Sequence, residues 1–582
     1  MSFIYLFREM WINAENNKIL IVIYYLLHIL SLLGLLGQPY VFGQIFNVLQ
    51  ENNQNTLSEV TFWVYIYIAL FFIFNIFHRL GRHIEQRVAF RNRQYFINKL
   101  YYKLTKLPLK WHADNHSGSI INKIKISSDA LHDFSELQFK YIEHFMMFWG
   151  PLLILAMLSY KVAFAALFLG LFTVIIISKF DKVIVPLFAA ENDVNHKFYS
   201  VIFDYISNIR TLLILRLDQQ TKKEINNKID LAYPVLTESI KINQYKWACV
   251  SFCILILEVG IIFYYINIEY YGNNSIMLGS IAAIFQYLQQ LGKMFFNVTN
   301  DYQEIIRMKT DYLTSKDILA IDDFISGDLI QDNNWQKIDI KNLYFSYNNK
   351  KECLIDLNFS IQKGGKIALI GPSGGGKSSL LLLLRGLYHP DNCQIQVDER
   401  LFYNNLSCLS SITTLVPQDP EIFENTIKYN ISFGVKYPEK EISNSIELAS
   451  LEKLIKNLPN GLDTDIREKG VNLSGGEKQR LALARGILAA QNSSILLLDE
   501  PTSNIDSHNE ELIYKKLFRK YKDKCIISSL HRLHLLELFD YIYVIAEGKI
   551  IQQGTLSNLL KSNKNSTFWN LWKKYMKNTD RS

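Results

Sequence analysis

A stretch of 32 residues between Lys18 and Glu51 contains no Asp, Glu, Lys or Arg. The hydrocarbon core of a bilayer is crossed by about 20 apolar residues in a helix, so this stretch predicts a membrane span and excludes a fully water-soluble chain. Five further stretches with few or no charges bring the predicted number of spans to six: Val60–His78, His144–Tyr160, Val162–Ser178, Trp247–Ile268 with Glu258 inside it, and Tyr270–Gly292, which continues past Lys293 to about Asn300.

The basic residues beside these spans predict their orientation, because Lys and Arg are retained on the cytoplasmic side of a membrane. The connections between spans one and two and between spans five and six contain no Lys or Arg, whereas five arginines follow span two: Arg79, Arg82, Arg87, Arg91 and Arg93. We therefore expect an integral, multi-pass membrane protein with both termini in the cytoplasm. Residues 1–17 lack the pattern of a secretory signal and are predicted to hold an interfacial elbow helix.

The two cytoplasmic connections, about 79–143 and 179–246, are too long to be plain loops. Apolar residues recur at helical spacing up to Pro108, which should end a helix. We therefore expect the membrane helices to continue into the cytoplasm and to turn in elbows near Trp111–Ile120 and Asp204–Leu217. An independent soluble insertion is the alternative.

The character of the chain changes after the membrane domain, which is predicted to cover 18–320. An acidic, polar linker (321–334) leads into alternating strand and helix patterns typical of an α/β domain at 335–575, before a tail at 576–582. The six cysteines have no pairing or metal-ligand spacing, so reduced thiols are expected. A net charge of +7 does not indicate a nucleic-acid partner.

The segment KIALIGPSGGGKSSLLLLL reads as a buried strand, a glycine loop and a helix. Gly371, Gly376, Lys377 and Ser378 match the phosphate-loop pattern G-x-x-x-x-G-K-[ST]. Glycines allow backbone N–H groups to turn towards phosphates, and the helix N-terminus favours their negative charge. Lys377 is predicted to reach the β and γ phosphates of ATP and Ser378 to hold Mg²⁺. The remaining predicted contacts are Ser373, Gly374, Gly375 and Ser379.

A second apolar strand, Ile495–Leu498, ends in Asp499 and Glu500. This pattern predicts two carboxylates at the end of a buried strand beside the phosphate loop. Asp499 suits Mg²⁺, directly or through water, and Glu500 suits a general base for the attacking water.

Between these motifs, Asn472 to Arg480 reads NLSGGEKQR. Its residues Leu473, Ser474, Gly475, Gly476 and Glu477 closely resemble the signature sequence of ATP-binding cassette (ABC) proteins. Four further residues resemble residues of the other motifs of that family and occur in the expected order: Tyr347, Gln418, Asp506 and His531. With six spans before the cassette, the resemblance covers nearly the whole chain and is to an exporter-type half-transporter. Glu477 stands where Gln is frequent, and Lys469, in a stretch at 467–470 that resembles the loop contacting a partner's elbow, stands where Arg is frequent.

The resemblance implies a fold, two ligands and a division of roles. The fold would be an all-α six-helix membrane domain followed by an α/β phosphate-loop NTPase domain that binds ATP and Mg²⁺. Two cassettes would pack head to tail, so that Ser474 and Gly476 of one copy close over ATP held by Lys377 of the other, with Gly475, Glu477 and Asp506 also at the nucleotide. Tyr347 would stack on adenine, and Glu500 and His531 would be catalytic. Gln418 would act in catalysis and, with Ser378 and Asp499, contact Mg²⁺.

Polar residues in span six indicate a path for a substrate. Intervals of four, three, four and three put these side chains on one helical face: Gln286, Gln290, Lys293, Asn297 and Asn300. A charged side chain inside a span costs about 2.5–3.5 kcal/mol, so Lys293 and Glu258 should face protein or water. A structural pair between these two residues, or extension of Lys293 to an interface, is the alternative. Such a lining would suit an amphipathic lipid, peptide or drug-like molecule.

These observations predict an ATP-driven exporter or flippase that works by alternating access, as a homodimer in membrane lipid. A regulatory or ATP-gated membrane protein without net transport, or one half of a heterodimer, remains open. Six spans disfavour a soluble ATPase that acts on DNA or ribosomes. Richness in Ile, Asn, Lys and Tyr is typical of an AT-rich genome and favours a bacterial inner membrane.

Overall fold

The computed structural model of the chain describes residues 2–273, 275–324, 329–330, 333–347, 352–466, 473–561 and 566–579. Residues 467–472, which include Lys469 and Asn472, therefore lie outside it. The described residues form two compact units: Met1–Thr105 with Ser117–Ile321, and Lys106–His116 with Asp322–Ser582.

The first unit is helical, and the helices over residues 1–321 are numbered along the chain. They are α1 (Ser2–Asn13), α2 (Lys18–Glu51), α3 (Thr56–Leu104), α4 (Leu109–Asp114), α5 (Ser117–Glu136), α6 (Gln138–Leu158), α7 (Tyr160–Ser207), α8 (Ile209–Leu215), α9 (Asp218–Leu255), α10 (Ile261–Tyr271), α11 (Leu278–Leu313) and α12 (Lys316–Ala320). Among these, α4 belongs to the second unit. A π-helical turn, Ile256–Gly260, joins α9 to α10.

Several helices extend far beyond a membrane. At 1.5 Å per residue, the 49 residues of α3 span about 74 Å, against about 30 Å for a bilayer core. The elbows expected from the sequence correspond to short helices: α4 starts just after Pro108, and α8 is bent by 73° from the end of α7. Helices α6 and α7 are joined at Ser159, which has an extended backbone and lies two residues before Lys161, the residue between the two uncharged stretches.

By length and composition, five helical stretches among the described residues can cross a membrane. They are Glu15–Glu51, Thr56–Leu104, Gln138–Leu158, Tyr160–Ile184 and Asp218–Tyr271. The predicted sixth span corresponds to α11, which falls outside this set because its apolar face alternates with Gln, Lys and Asn. It begins at Leu278 rather than Tyr270, since the chain turns at Gly272 and Asn273.

A buried ion-pair network joins three helices of the first unit. His28 (α2) and Glu85 (α3) are fully buried, with His28 Nε2 3.1 Å from Glu85 Oε2. Arg82 donates to the same carboxylate oxygen at 2.8 Å, and the backbone N–H of Phe139 (α6) donates to Glu85 Oε1 at 2.8 Å. Gly81 lies against the imidazole, where a Cβ would come 2.6 Å from His28 Cε1. This charge cluster therefore connects α2, α3 and the start of α6.

Helices α2 and α11 touch through their backbones. A Cβ at Gly279 would lie 1.9 Å from the carbonyl oxygen of Gly43, and a Cβ at Gly43 would lie 2.5 Å from that of Gly279. Nearby, the side chain of Gln50 accepts a hydrogen bond from the N–H of Leu278 and donates one to the carbonyl of Ile276, at 2.8 and 3.0 Å. Only glycine allows so close an approach.

The described residues of the second unit form two sheets. Its strands are β1 (Lys337–Ser346), β2 (Glu352–Gln362), β3 (Lys366–Ile370), β4 (Asn392–Val397), β5 (Arg400–Tyr403), β6 (Thr413–Val416), β7 (Ile495–Asp499), β8 (Cys525–Ser529), β9 (Tyr541–Ala546) and β10 (Lys549–Gly554). Its helices after α12 are α13 (Lys377–Leu384), α14 (Ile427–Ser432), α15 (Glu439–Leu448), α16 (Glu452–Asn457), α17 (Gly475–Ala489), α18 (Ser507–Lys520), α19 (Leu556–Leu560) and α20 (Thr567–Thr579).

Strand order explains where the sequence motifs meet. One sheet is antiparallel, in the order β2-β1-β4-β5, and the other has the order β10-β9-β3-β8-β7-β6. In the second sheet β9, β3, β8, β7 and β6 run parallel, and every residue of β3, β7 and β8 is buried. The carboxyl ends of β3, β6, β7 and β8 therefore share one edge, where ligands bind in α/β sheets of this kind.

Candidate functional site

The glycine loop after β3 packs on the backbone of β9. A Cβ at Gly371, whose φ is 147°, would lie 1.9 Å from the carbonyl oxygen of Ile545, and one at Gly375 would lie 2.8 Å from it. Gly376 has φ 107° and begins α13. At the tip, Gly374 has φ 78° with nothing near its Cβ position, and Ser373 is exposed. The tip of the loop at Ser373 and Gly374 is thus open, which fits the binding of a phosphate group there.

Lys377 turns back over this loop. Its Nζ donates to the carbonyls of Gly371 and Pro372, at 3.0 and 3.2 Å. Burial lowers the pKa of this ammonium, and the nearby Glu500 and Asp499 oppose that effect. The described hydrogen bonds of this buried ammonium are to neutral carbonyls, so an anionic ligand would stabilise it further, which again fits a phosphate.

A hydrogen-bonded chain links the predicted adenine-stacking residue to α13. The hydroxyls of Tyr347 and Ser379 share a hydrogen bond of 2.9 Å, and Cys353 Sγ donates to Ser379 Oγ at 3.2 Å. The ring of Tyr347 lies edge-on to Tyr388, with centroids 5.3 Å apart. Ser378, the next residue along α13, is half-buried.

The three predicted catalytic residues lie together. Gln418 Nε2 donates to Glu500 Oε2 at 2.9 Å, and His531 Nε2 lies 2.7 Å from Glu500 Oε1. The Glu500 side chain is 9 % exposed, and its backbone has φ 44°, a left-handed conformation that non-glycine residues rarely adopt. Three strand ends thus hold one carboxylate between an amide and an imidazole.

Asp499 lies next to this group at the end of β7. Ser529 Oγ donates to Asp499 Oδ1 at 2.7 Å and accepts from the N–H of Glu500 at 2.9 Å. Among the described residues no group of three or more His, Cys, Asp or Glu could hold a metal by itself. A Mg²⁺ at Asp499 and Ser378 would therefore take its other ligands from phosphates and water, which suits that ion.

The signature residues form a helix start. Ser474 Oγ accepts from the N–H of Glu477 at 3.3 Å, while Glu477 Oε2 accepts from the N–H of Ser474 at 2.7 Å. This capping box works equally with Gln or Glu, which explains the departure at Glu477. A Cβ on Gly476 would come 2.8 Å from the carbonyl of Asn504, and Gly475 lies near the same residue. Among the described residues, the signature residues make their hydrogen bonds with one another and with nearby residues of α17, and their glycines pack near Asn504. None of these contacts is with the phosphate loop.

Asp506 caps α18. Its carboxylate accepts hydrogen bonds from the backbone and side chain of Asn509, at 2.9 and 2.7 Å. These hydrogen bonds hold its pKa below the ordinary value. A role of Asp506 at the nucleotide stays a prediction.

A buried carboxylate that the sequence did not single out connects the segments around the site. Glu510 Oε1 accepts from Thr502 Oγ1 at 2.6 Å, and Glu510 Oε2 accepts from Arg532 at 3.0 Å. Arg532 also donates to the carbonyl of Ile505 at 2.7 Å. The segment after Glu500 is therefore tied to the one that carries His531. Only the position of Arg532 directly after His531 could have indicated this from the sequence.

In the first unit, three predicted cavity residues line one cavity of about 240 Å³: Gln290, Lys293 and Asn297 of α11. Glu143 and His144 of α6, which also line this cavity, were not singled out from the sequence, although they lie at the start of the uncharged stretch of that helix. Gln290 Oε1 is buried without a hydrogen-bond partner among the described residues. The cavity thus offers charges of both signs and an unsatisfied acceptor.

The other two described cavity predictions lie outside this lining. Gln286 is half-buried, and Glu258 lies in the π-helical turn between α9 and α10. Among the described residues no ion pair joins Glu258 to Lys293 within 4.0 Å. The structural pair between these two residues, which was the alternative to a role in the substrate path, is therefore not found. The side chain of Asn300 lies outside the described residues.

Known proteins resemble this chain over both units. A family model described as the ABC transporter transmembrane region matches residues 21–293, and one described as ABC transporter matches 354–503. A Staphylococcus aureus protein with the provisional description multidrug export ATP-binding/permease protein is 29 % identical over 79 % of this chain and 80 % of its own length. ABC transporter B family member 1 of Dictyostelium discoideum is 26 % identical over 95 % of this chain and 61 % of its own length.

A solved structure has the same fold. It is a bacterial Atm1-family ABC exporter with ATP bound, which superposes with a TM-score of 0.82 at 22 % identity and covers 96 % of this chain and 99 % of its own.

Proposed function

Because this chain belongs to the ABC transporter family, as an integral membrane protein with the exporter fold, we propose that it is an ATP-driven exporter or flippase. It would move an amphipathic molecule out of the cytoplasm or inner leaflet by alternating access. The observation that carries this proposal is the contact of Glu500 with both Gln418 and His531 at the edge of the sheet that also bears the phosphate loop.

The cassette residues divide the work of hydrolysis. Lys377 and the glycine loop bind the phosphates of ATP, and Tyr347 orients its adenine ring. Glu500 accepts the proton of the attacking water, and His531 orients that carboxylate and the terminal phosphate. When bound through Ser378, Asp499 and Gln418, Mg²⁺ would offset the phosphate charge.

Each site needs a second copy of the cassette. Among the described residues, Ser474 is hydrogen-bonded to Glu477 and Gly476 lies against Asn504 rather than against the phosphate loop of the same chain, which supports a role at the nucleotide of a partner. ABC half-transporters dimerise, and we propose a homodimer because both the phosphate loop and the signature are complete in one chain. ATP then holds the pair closed, and hydrolysis removes that attraction.

The cavity beside α11 supports an amphipathic substrate. It combines Lys293, Glu143 and His144 with apolar walls formed by Leu35, Met147 and Met294. Bound substrate would satisfy the buried Gln290 amide. The composition of the chain supports a bacterial inner membrane, and the charge of its loops supports a cytoplasmic position for both termini.

Transport in vesicles tests the proposal. Purified protein is reconstituted into proteoliposomes with outward-facing cassettes, and labelled phospholipids, peptides and amphipathic dyes are offered outside with ATP. We expect hydrolysis stimulated by one of these classes and its accumulation inside against a gradient. If ATP binding or hydrolysis only lets an existing substrate gradient run down, the protein is an ATP-gated pore and the proposal is refuted. The mass of the active protein in lipid separates a homodimer from a monomer, and an inactive pure protein rescued by a second chain identifies a heterodimer.

A further inference from the structure

A cavity of about 440 Å³ lies between the phosphate loop and α20. Three segments of the second unit line it: the start of the loop (Ile370, Gly371, Pro372, Ser373), the segment of His531 (Leu530 to Leu533), and Leu571, Lys574 and Tyr575 of α20. The residues of α20 lie about 200 residues after the loop in sequence, and no motif of the sequence points to them.

The lining of this cavity is positive. It contains three basic side chains, Lys574, Arg532 and His531, and none of its lining residues is acidic. Arg532 is already paired with Glu510 at 3.0 Å, and His531 with Glu500 at 2.7 Å. Lys574 has no hydrogen-bond or ion-pair partner among the described residues, and its ammonium is the cation left to meet an anionic ligand.

Helix α20, which carries Lys574, is held in the second unit by contacts on both sides of that residue. Phe568 is fully buried in the core of the unit, and its N–H donates to Gln552 Oε1 of β10 at 3.0 Å. The ring of Tyr575 stacks on His534, with centroids 6.4 Å apart and planes at 23°. Leu571, Lys574 and Tyr575 share one helical face because they are three and four residues apart, whereas Lys573 lies on another face.

We propose that Lys574 binds the terminal phosphate of ATP, so that α20 adds a cation to the nucleotide site from within the same chain, beside the signature residues of the second copy. The assignment rests on the proposed function, since it takes ATP to be the ligand of the phosphate loop. A charge-assisted contact between ammonium and phosphate is favourable at a partly enclosed site. Because only ATP has the third phosphate, the contact should discriminate between ATP and ADP.

The test compares nucleotide affinities of Lys574→Gln and Lys573→Gln in the full chain in lipid. With Mg²⁺, the affinity of Lys574→Gln for a non-hydrolysable ATP analogue should fall about tenfold or more, the typical cost of one hydrogen bond from a charged group. Its affinity for ADP should change less than twofold, and Lys574→Arg should restore analogue binding. Lys573→Gln should bind both nucleotides as wild type does.

Two results would overturn the assignment. Unchanged analogue affinity in Lys574→Gln would remove the contact, and equal losses for analogue and ADP would give Lys574 a merely structural role. Failure of the proposed function is a different result: wild type would then bind neither nucleotide, or Lys377→Ala would bind both as well as wild type does.

Discussion

His531 Nε2 lies 2.7 Å from Glu500 Oε1, although the two residues come from the ends of different strands. Gln418 holds the other carboxylate oxygen at 2.9 Å. Both oxygens of a side chain that is 9 % exposed are therefore oriented. This geometry is what a proton acceptor for an attacking water requires.

Glu500→Gln should abolish hydrolysis while leaving ATP binding intact. The amide cannot accept the proton of water, and removal of a general base costs about 10²- to 10⁴-fold in rate. Phosphate release and equilibrium binding of ATP measure the two effects. Hydrolysis within twofold of wild type would contradict the role of Glu500.

Lys377→Ala should weaken ATP binding by about tenfold or more, because hydrogen bonds from a charged group contribute about 1.5–3 kcal/mol. Lys366 is the matched control, since it is also a buried lysine whose ammonium donates to carbonyls, three in its case, but it lies at the start of β3. Lys366→Ala should lower the melting temperature, and wherever it remains folded its affinity should stay near that of wild type. Equal binding losses in the two folded variants would argue against a phosphate contact.

Gly371→Ala should destabilise the cassette, by about 1–3 kcal/mol or more, through overpacking against the carbonyl of Ile545. Gly374→Ala is the control for backbone strain, because its φ is also positive while nothing lies near the added Cβ. Thermal unfolding of the two variants should therefore differ, with Gly371→Ala the less stable. Identical melting temperatures would show that strain alone, and not the clash, sets the cost.

Glu85→Ala should destabilise the first unit by about 3–5 kcal/mol, because it leaves a buried ion-pair network without its carboxylate. The exposed Glu59, on the same helix α3, provides the control in Glu59→Ala. Thermal unfolding in detergent, followed by circular dichroism, measures both. A similar, small change in the two variants would mean that the His28–Glu85 contact contributes little.

Lys293→Glu should change which cargo stimulates hydrolysis. The substitution leaves the cavity with acidic groups from both α6 and α11, so the half-stimulating concentration should rise for anionic amphiphiles and fall for cationic ones. Lys161→Glu, on the exposed start of α7 and outside the cavity, controls for the charge change. The same shift in both variants would exclude a local effect of Lys293.

The family resemblance implied that Glu500, Gln418 and His531 act at one site, and the apolar run before Glu500 placed that residue at the end of a buried strand. Parallel strands bring their carboxyl ends to one edge whatever the chain between them. The position of Lys574 could not be expected, since it depends on how α20 packs through Phe568 and Tyr575. Glu143 and His144 were missed for a similar reason, as their place beside α11 follows from helix packing.

The predicted start of the sixth span, Tyr270, was eight residues before the observed start of α11 at Leu278. The reason is physical. Uncharged residues continue from Tyr270 to Gly292, but Gly272 and Asn273 turn the chain. Hydropathy measures the cost of entering lipid and is insensitive to a turn made of uncharged residues. The glycine and asparagines at 272–274 were the available signal.

The contact of Gly43 with Gly279 restricts how α2 and α11 can move. Side chains at a helix crossing can adjust to a shift by changing rotamers, whereas two apposed backbones have no side chain that could do so. A rearrangement that parts these helices must therefore break the backbone contact itself and release Gln50 from the turn before Leu278.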